Sequence, residues 1–74
     1  MNNHVYAISE IVGTSDKSIE DAIDQAIAVA QQSLRNLDWF EVSELRGHIK
    51  DGRVAHYQVA VKLGFRYESE SKAG

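Results

Sequence analysis

From Val54 to Glu68 the chain reads VAHYQVAVKLGFRYE, an alternation of apolar and polar residues that runs almost without fault. Ala55, Tyr57, Val59, Val61, Leu63, Phe65 and Tyr67 fall on one face of an extended chain. His56, Gln58, Ala60, Lys62, Gly64 and Arg66 fall on the other. A strand over 54–68 spans about 50 Å at ~3.3 Å per residue, whereas a globule built from a chain this short has a radius of gyration near ~11 Å. The strand must therefore bend or reach onto a neighbouring subunit.

Immediately before it stands KDGR, where Asp51-Gly52 is a strong signal for a type I′ hairpin turn. A two-residue loop there fixes the register of the preceding strand. Phe40 then faces Leu63 and Val42 faces Val61 on the apolar side. Trp39 faces Gly64, Glu41 faces Lys62, Ser43 faces Ala60 and Leu45 faces Gln58 on the other. The opposite charges of Glu41 and Lys62 support this pairing.

Upstream, VYAISEIV over 5–12 is rich in β-branched and aromatic residues and reads as a first strand. GTSDKS follows as turn and cap chemistry, with Ser18 the N-cap and Asp21 in a capping-box-like position. Ile19, Ala22, Ile23, Ala26, Ile27, Ala30, Leu34 and Leu37 then recur at three- and four-residue spacing, which predicts a helix of about five turns. Glu20, Asp21 and Asp24 near its start and Arg35 near its end suit the helix dipole. The fold class is α+β: a β-α-β-β order with one helix packed on one face of a three-stranded antiparallel sheet, in a single domain over 1–74. The ordered part covers about 4–68, followed by a polar tail over 69–74.

A domain of 74 residues buries only about 60% of its unfolded surface and needs reinforcement. It has no cysteine, so neither disulfides nor thiolate metal sites supply it. That leaves a histidine or carboxylate metal site or self-association, and for self-association, the better of the two, the sequence offers a surface. Phe40 enters the core beneath the helix, while Trp39, Leu45, Ile49 and Val54 lie on a face that no helix covers, an apolar area of the kind that marks an interaction surface. The net charge is −3 and the pI about 5.5, with basic residues dispersed among acidic ones, which argues against nucleic-acid binding. No apolar run approaches the ~20 residues of a membrane span, and the start MNNHVYAISE lacks a secretory pattern. A soluble, cytoplasmic protein is expected.

Trp39 has two readings, a residue of an interface or core and a flat platform for a planar ligand. Gly64 opposite it leaves room above the ring. Gln58, on the same face, both donates and accepts hydrogen bonds, which suits the edge of a heteroaromatic ring. In ideal register the two are too far apart for one small ligand, so a shared site requires a β-bulge near Ser43–Gly47, where alternation falters, or a second subunit. His4, His48 and His56 show no metal spacing, and His48 and His56 fall on opposite faces. Glu41 and Glu44 also differ in parity, which speaks against acid–base work. The GTSDKS segment could hold an anion at the helix start, though most such loops are only caps. No catalytic constellation is present.

With these residues placed, the chain resembles the dodecins, a family of small flavin-binding dodecamers. The resemblance is carried by GTS before the helix, RNLDWFEV after it, RGHIKDGRVAHYQV through the hairpin and KLGFR near the end. It implies a hollow homododecamer in which a pair of flavins is sandwiched between tryptophans at each two-fold axis. Trp39 matches the stacking tryptophan and Gln58 the glutamine that hydrogen-bonds the isoalloxazine edge. Arg46 and Arg66 match arginines near the pocket, and Glu44 sits where some members place an acidic residue linked to a metal ion. Coenzyme A is a further ligand associated with bacterial members. Leu45 departs from the polar residue common beside the pocket. The expected function is non-enzymatic: storage of FMN, or of riboflavin or FAD, with quenching of flavin photochemistry. The alternatives are a shell or interaction module that binds ions or coenzyme A without flavin, and a small flavin-dependent enzyme, for which no nicotinamide motif is present.

Overall fold

The computed structural model describes residues 4–67. The elements run β1 (Tyr6–Ser15), α1 (Ile19–Ala30), β2 (Leu37–Lys50) and β3 (Arg53–Arg66). The sheet is antiparallel throughout with strand order β1-β3-β2. The predicted β-α-β-β fold is therefore observed. The polar tail over 69–74 lies outside the described residues.

The hairpin turn has the backbone that its sequence demands. Asp51 and Gly52 have φ of 54° and 76°, positive at both central positions as a type I′ turn requires, and Lys50 pairs with Arg53 across it. The first strand extends beyond Val12 to Ser15, so Gly13 and Thr14 belong to the ladder rather than to a turn. Gly13 pairs with Val59 and lies directly under the Ala22 carbonyl of α1. Any side chain there would push the helix off the sheet.

The helix is shorter than its apolar periodicity predicts. It ends at Ala30, where Gln32 and Ser33 donate their N–H groups to the carbonyls three residues back, those of Val29 and Ala30, at 3.1 Å each. This tighter turn, followed by Asn36 at φ 61°, redirects the chain across β3 to the far edge of the sheet. Leu34 and Leu37 still pack against the core, Leu37 as the first residue of β2. Periodicity had reported which side chains face inward, and the backbone that delivers them changes after Ala30.

The core is compact. Ala22, Ala26 and Ala30 on one stripe of α1 meet Val59, Val61 and Leu63 of β3. Small residues on the helix allow it to sit close to the strand, and burial of each larger strand residue contributes about 1.5–3 kcal/mol. The helix packs on β1 and β3 but not on β2. Phe40 therefore has the predicted partner, Leu63, but not the predicted burial, since it remains 50% exposed beyond the helix. The sheet reaches well past the core, giving extents of 60 × 20 × 14 Å and a radius of gyration of 15.8 Å, against ~11 Å for a sphere-like domain of this length.

The helix start is closed by its own side chains. Ser18 Oγ accepts from Asp21 N at 2.9 Å, and Ser15 Oγ accepts from Lys17 N at 2.9 Å. The Ser15 hydroxyl donates to Asp21 Oδ2 at 2.6 Å. This last bond, joined by Gln25 and the Lys17 charge, holds the Asp21 carboxyl below its ordinary range. A carboxylate depressed in the folded state stabilises the fold above its unfolded pKa, and that contribution is lost as pH falls through the folded value. Ser15→Ala is expected to raise the Asp21 pKa and flatten acid unfolding below about pH 4. Carboxyl NMR titration checks it; an Asp21 titration unmoved by the substitution counts against Ser15 as the main cause.

Candidate functional site

Three irregularities in the β2–β3 ladder position the candidate residues. The first is at Asp38. Leu37 pairs with Phe65 and Trp39 with Gly64, so residues two apart on β2 face opposite sides, because a bulge re-aims the chain between them. Trp39 turns to the helix-free face, as the register from the turn predicts, while the bulge turns Leu37, which that register would pair with Arg66, to the core. A Cβ added to Gly64 would fall among the Cδ2, Cε2 and Cζ2 carbons of the indole, so the ring lies directly on the glycine. Gly64 is buried in this way on a face that no helix covers, while Trp39 stays 41% exposed.

The second irregularity is at Ser43, within the stretch where alternation falters. Val42 pairs with Val61, but Glu44, not Ser43, pairs with Ala60. The Ser43 hydroxyl donates across β3 to Glu10 Oε2 at 2.6 Å. The third, near Ala55, inserts a compensating residue into β3: His48 pairs with His56 but Ile49 with Val54. Between the two bulges the faces of β2 are exchanged relative to the prediction. Leu45 pairs with Val59 and lies on the helix side, as do Ile49 and Val54; these three form, with Ile19 and Tyr57, an apolar cavity beyond the helix start. They do not join Trp39.

The same shift corrects three expectations. Glu41 and Glu44 share the helix-free face, paired with Lys62 and Ala60. His48 and His56 are direct partners with rings stacked at 4.6 Å, not residues on opposite faces. Gln58 faces Arg46 rather than Leu45. The signal for these was the faltering alternation at Ser43–Gly47; the extra residue at Ala55 left none.

The candidate residues thus form two groups on one face. Trp39, Gly64 and Arg66 lie at one end, with Arg66 paired to Tyr6. Glu44, Arg46 and Gln58 lie at the other, where Arg46 Nη2 meets Glu44 Oε1 at 3.0 Å. Gly64 and Gln58 are six residues apart on β3, about 20 Å along the strand. The bulge at Ser43 does not shorten that path, so one chain cannot offer both groups to a single small ligand. Among the described residues, no three His, Cys, Asp or Glu side chains converge as a metal would require, and the Glu44 carboxylate is engaged by Arg46. No helix among them is long and apolar enough to cross a membrane.

Comparison with known proteins places this geometry. The Dodecin family model matches residues 5–68. A dodecin from Thermus thermophilus is 52% identical over 64 residues, covering 86% of this chain and 93% of its own. The structure of dodecin from Streptomyces coelicolor superposes with a TM-score of 0.87 at 54% identity, covering 93% of this chain and 99% of its own. A calcium dodecin from Mycobacterium tuberculosis shares the fold alone, with a TM-score of 0.74 at 24% identity over 93% of this chain and 99% of its own. Dodecins are small ligand-binding proteins that form homo-oligomers. The β-α-β-β chain with its indole seated on a strand glycine belongs to the dodecin family.

Proposed function

We propose that this dodecin is a non-enzymatic, cytoplasmic flavin-binding protein that stores FMN or a related flavin and suppresses its photochemistry. The observation that carries this reading is the Trp39 indole, held on Gly64 and partly exposed on a face without a helix. An indole has few rotamers, so little side-chain freedom is lost when a flat ligand stacks on it. A two-fold axis makes an interface isologous. Two helix-free faces packed about such an axis bring Trp39 of one copy toward Glu44, Arg46 and Gln58 of its partner, which resolves the separation of about 20 Å within one chain. In a dodecamer, each such interface holds flavin between paired tryptophans.

Each residue then has a chemical task. Trp39 supplies the stacking surface and excludes water from one ring face. Gln58 meets the donors and acceptors of the isoalloxazine edge. Arg46 and Arg66 supply positive charge for a phosphorylated side chain. An indole in contact with an excited flavin donates an electron to it, and the electron returns as the pair recombines, leaving both molecules in their ground states. Nothing is consumed, so neither a general base nor a second substrate is needed.

Titrating the purified oligomer into FMN and following flavin emission tests the reading. Emission is expected to fall to a plateau at a fixed ratio of protein to flavin. Unchanged emission at micromolar protein, from an oligomer that purifies colourless, would instead support the shell that binds coenzyme A or ions without flavin.

A further inference from the structure

One cross-strand row on the helix-free face holds Ile8, Gly64 and Trp39. Ile8 of β1 pairs with Gly64, and Trp39 of β2 pairs with the same glycine from the other side. The indole lies across β3 instead of standing above its own strand, because carbons of its six-membered ring occupy the space of a Gly64 side chain. Directly paired residues have Cβ positions about 4.5–5.5 Å apart, so Ile8 stands next in line beyond the ring.

Nothing in the packing of one chain accounts for a large aliphatic side chain at this point. Ile8 is 58% exposed and lies outside the core cluster. The residues around it carry charge or a hydroxyl. Lys62 and Arg66 flank Gly64 along β3, and Tyr6 and Glu10 flank Ile8 along β1. Glu10 is engaged by the Ser43 hydroxyl at 2.6 Å. On β2, Glu41 is the next residue after Trp39 to face the same way, opposite Lys62. The rim of the indole platform is therefore apolar at its β1 end and polar elsewhere.

A flavin ring has the matching asymmetry. Its isoalloxazine is three fused rings long against two for an indole, so a flavin stacked on Trp39 overhangs it. One end is a pyrimidine with carbonyl and N–H groups, and the other is a benzene ring with two methyl groups. Gln58 and Arg46, the polar residues given to the site, belong to β3 and β2. We propose that Ile8 is a specificity-determining residue of this site, a wall beside the indole floor that receives the dimethylbenzene end of the stacked flavin. Methyl groups placed against Ile8 leave water favourably. A reversed ring would press a carbonyl against an aliphatic side chain that offers it no hydrogen bond. Ile8 thus sets which end of the ring points to β1, and it selects flavins over planar ligands that lack an apolar end. The assignment rests on the flavin reading above.

Calorimetric titration of the flavin-free oligomer with riboflavin, and with its analogue lacking the two ring methyl groups, tests the assignment. The two ligands share their polar edge and their ribityl chain. The parent should bind riboflavin about tenfold more tightly, as burial of two methyl carbons implies. Ile8→Thr keeps a β-branched residue in the strand but removes the apolar wall. It should reduce the preference to about threefold or less, with affinity for the analogue unchanged to within about twofold. Val12→Thr alters an equally exposed apolar residue two rows away on the same face, opposite Ala60, and should keep the parent preference. Removing the methyl groups also changes the electron density of the ring, so the change in preference between parent and variant is the decisive quantity. Failure of the parent to bind either ligand overturns the flavin reading and this assignment with it. Binding of both ligands with equal affinity, full preference in Ile8→Thr, equal weakening of both ligands by that change, or an equal loss of preference in Val12→Thr overturns the role of Ile8 and leaves the flavin reading standing.

Discussion

Gly13→Ala is expected to lower the melting temperature of this protein by about 10 °C or more, the largest stability loss of any single methyl added to the chain. The reason is geometric. A Cβ at Gly13 meets the Ala22 carbonyl oxygen inside van der Waals contact, with the Ala26 Cβ at 3.0 Å and the Ala22 carbonyl carbon at 3.1 Å. These are backbone atoms and an alanine methyl, none of which can swing aside. The helix must lift, and lifting it opens the contact between Ala22, Ala26 and Ala30 and the strand residues Val59, Val61 and Leu63 that make up the core. Overpacking of this kind costs about 1–3 kcal/mol and sometimes more, and each 1 kcal/mol moves the midpoint of a domain this size by about 4–8 °C. Thermal unfolding followed by circular dichroism checks it, at one protomer concentration because assembly contributes to apparent stability. Gly52→Ala is the control: nothing lies within 4 Å of its Cβ position, and its φ of +76° costs only about 1–2 kcal/mol in an L-residue. A Gly13→Ala protein that melts with or above the Gly52→Ala protein would mean that the helix does not rest on β1 as described.

The contrast between parity and burial shows how much of this was legible beforehand. Asp51-Gly52 specified the turn, and the turn specified the pairs Phe40–Leu63, Glu41–Lys62, Val42–Val61 and Trp39–Gly64, all of which form. Parity also placed Trp39 and Gln58 on the same helix-free face. Phe40 had the right partner but the wrong environment, because β-α-β-β order is compatible with β1 beside either hairpin strand. Its position beside β3 leaves β2 outside the shelter of the helix. The bulges were harder to see. Ser43 adds one residue to β2 and Ala55 one to β3, so the offsets cancel and both Trp39–Val42 and Ile49–Lys50 keep their ideal partners. Between them, Leu45, Glu44, Arg46 and His48 exchange faces without any change in composition that would announce it. A strand residue that opposes nothing needs no special side chain, and for that reason the stacked histidines and the Arg46–Gln58 pair emerge only from the ladder itself. The helix end was hidden for a related reason: Leu34 and Leu37 continue the apolar rhythm of α1 although the backbone beneath them is no longer helical.

Trp39→Ala, finally, is expected to reduce FMN affinity by about fivefold or more and to abolish nearly all quenching, with the oligomer preserved. Stacking of a flat ring on an aromatic side chain is worth about 1–3 kcal/mol per platform. Each flavin of the proposed pair stacks on one indole, so losses from about fivefold to about 140-fold are expected at ~1.4 kcal/mol per decade. The fold should tolerate the change because the indole is 41% exposed and rests on Gly64 rather than within the cluster around Leu63. Two further substitutions separate stacking from electron donation. Trp39→Phe keeps a flat ring but one much harder to oxidise, so it should retain part of the affinity while bound flavin becomes brighter and longer-lived in emission. Gly64→Ala keeps the indole but fills its seat, and here, unlike at Gly13, the obstacle is a side chain that can rotate away. It should therefore weaken binding while leaving the melting temperature within a few degrees of the parent. Fluorescence titration with lifetime measurement distinguishes these outcomes, and size-exclusion chromatography establishes the assembly in each case. Undiminished FMN affinity in the Trp39→Ala oligomer would remove Trp39 from the site, and equal quenching by tryptophan and phenylalanine would remove electron transfer from the mechanism.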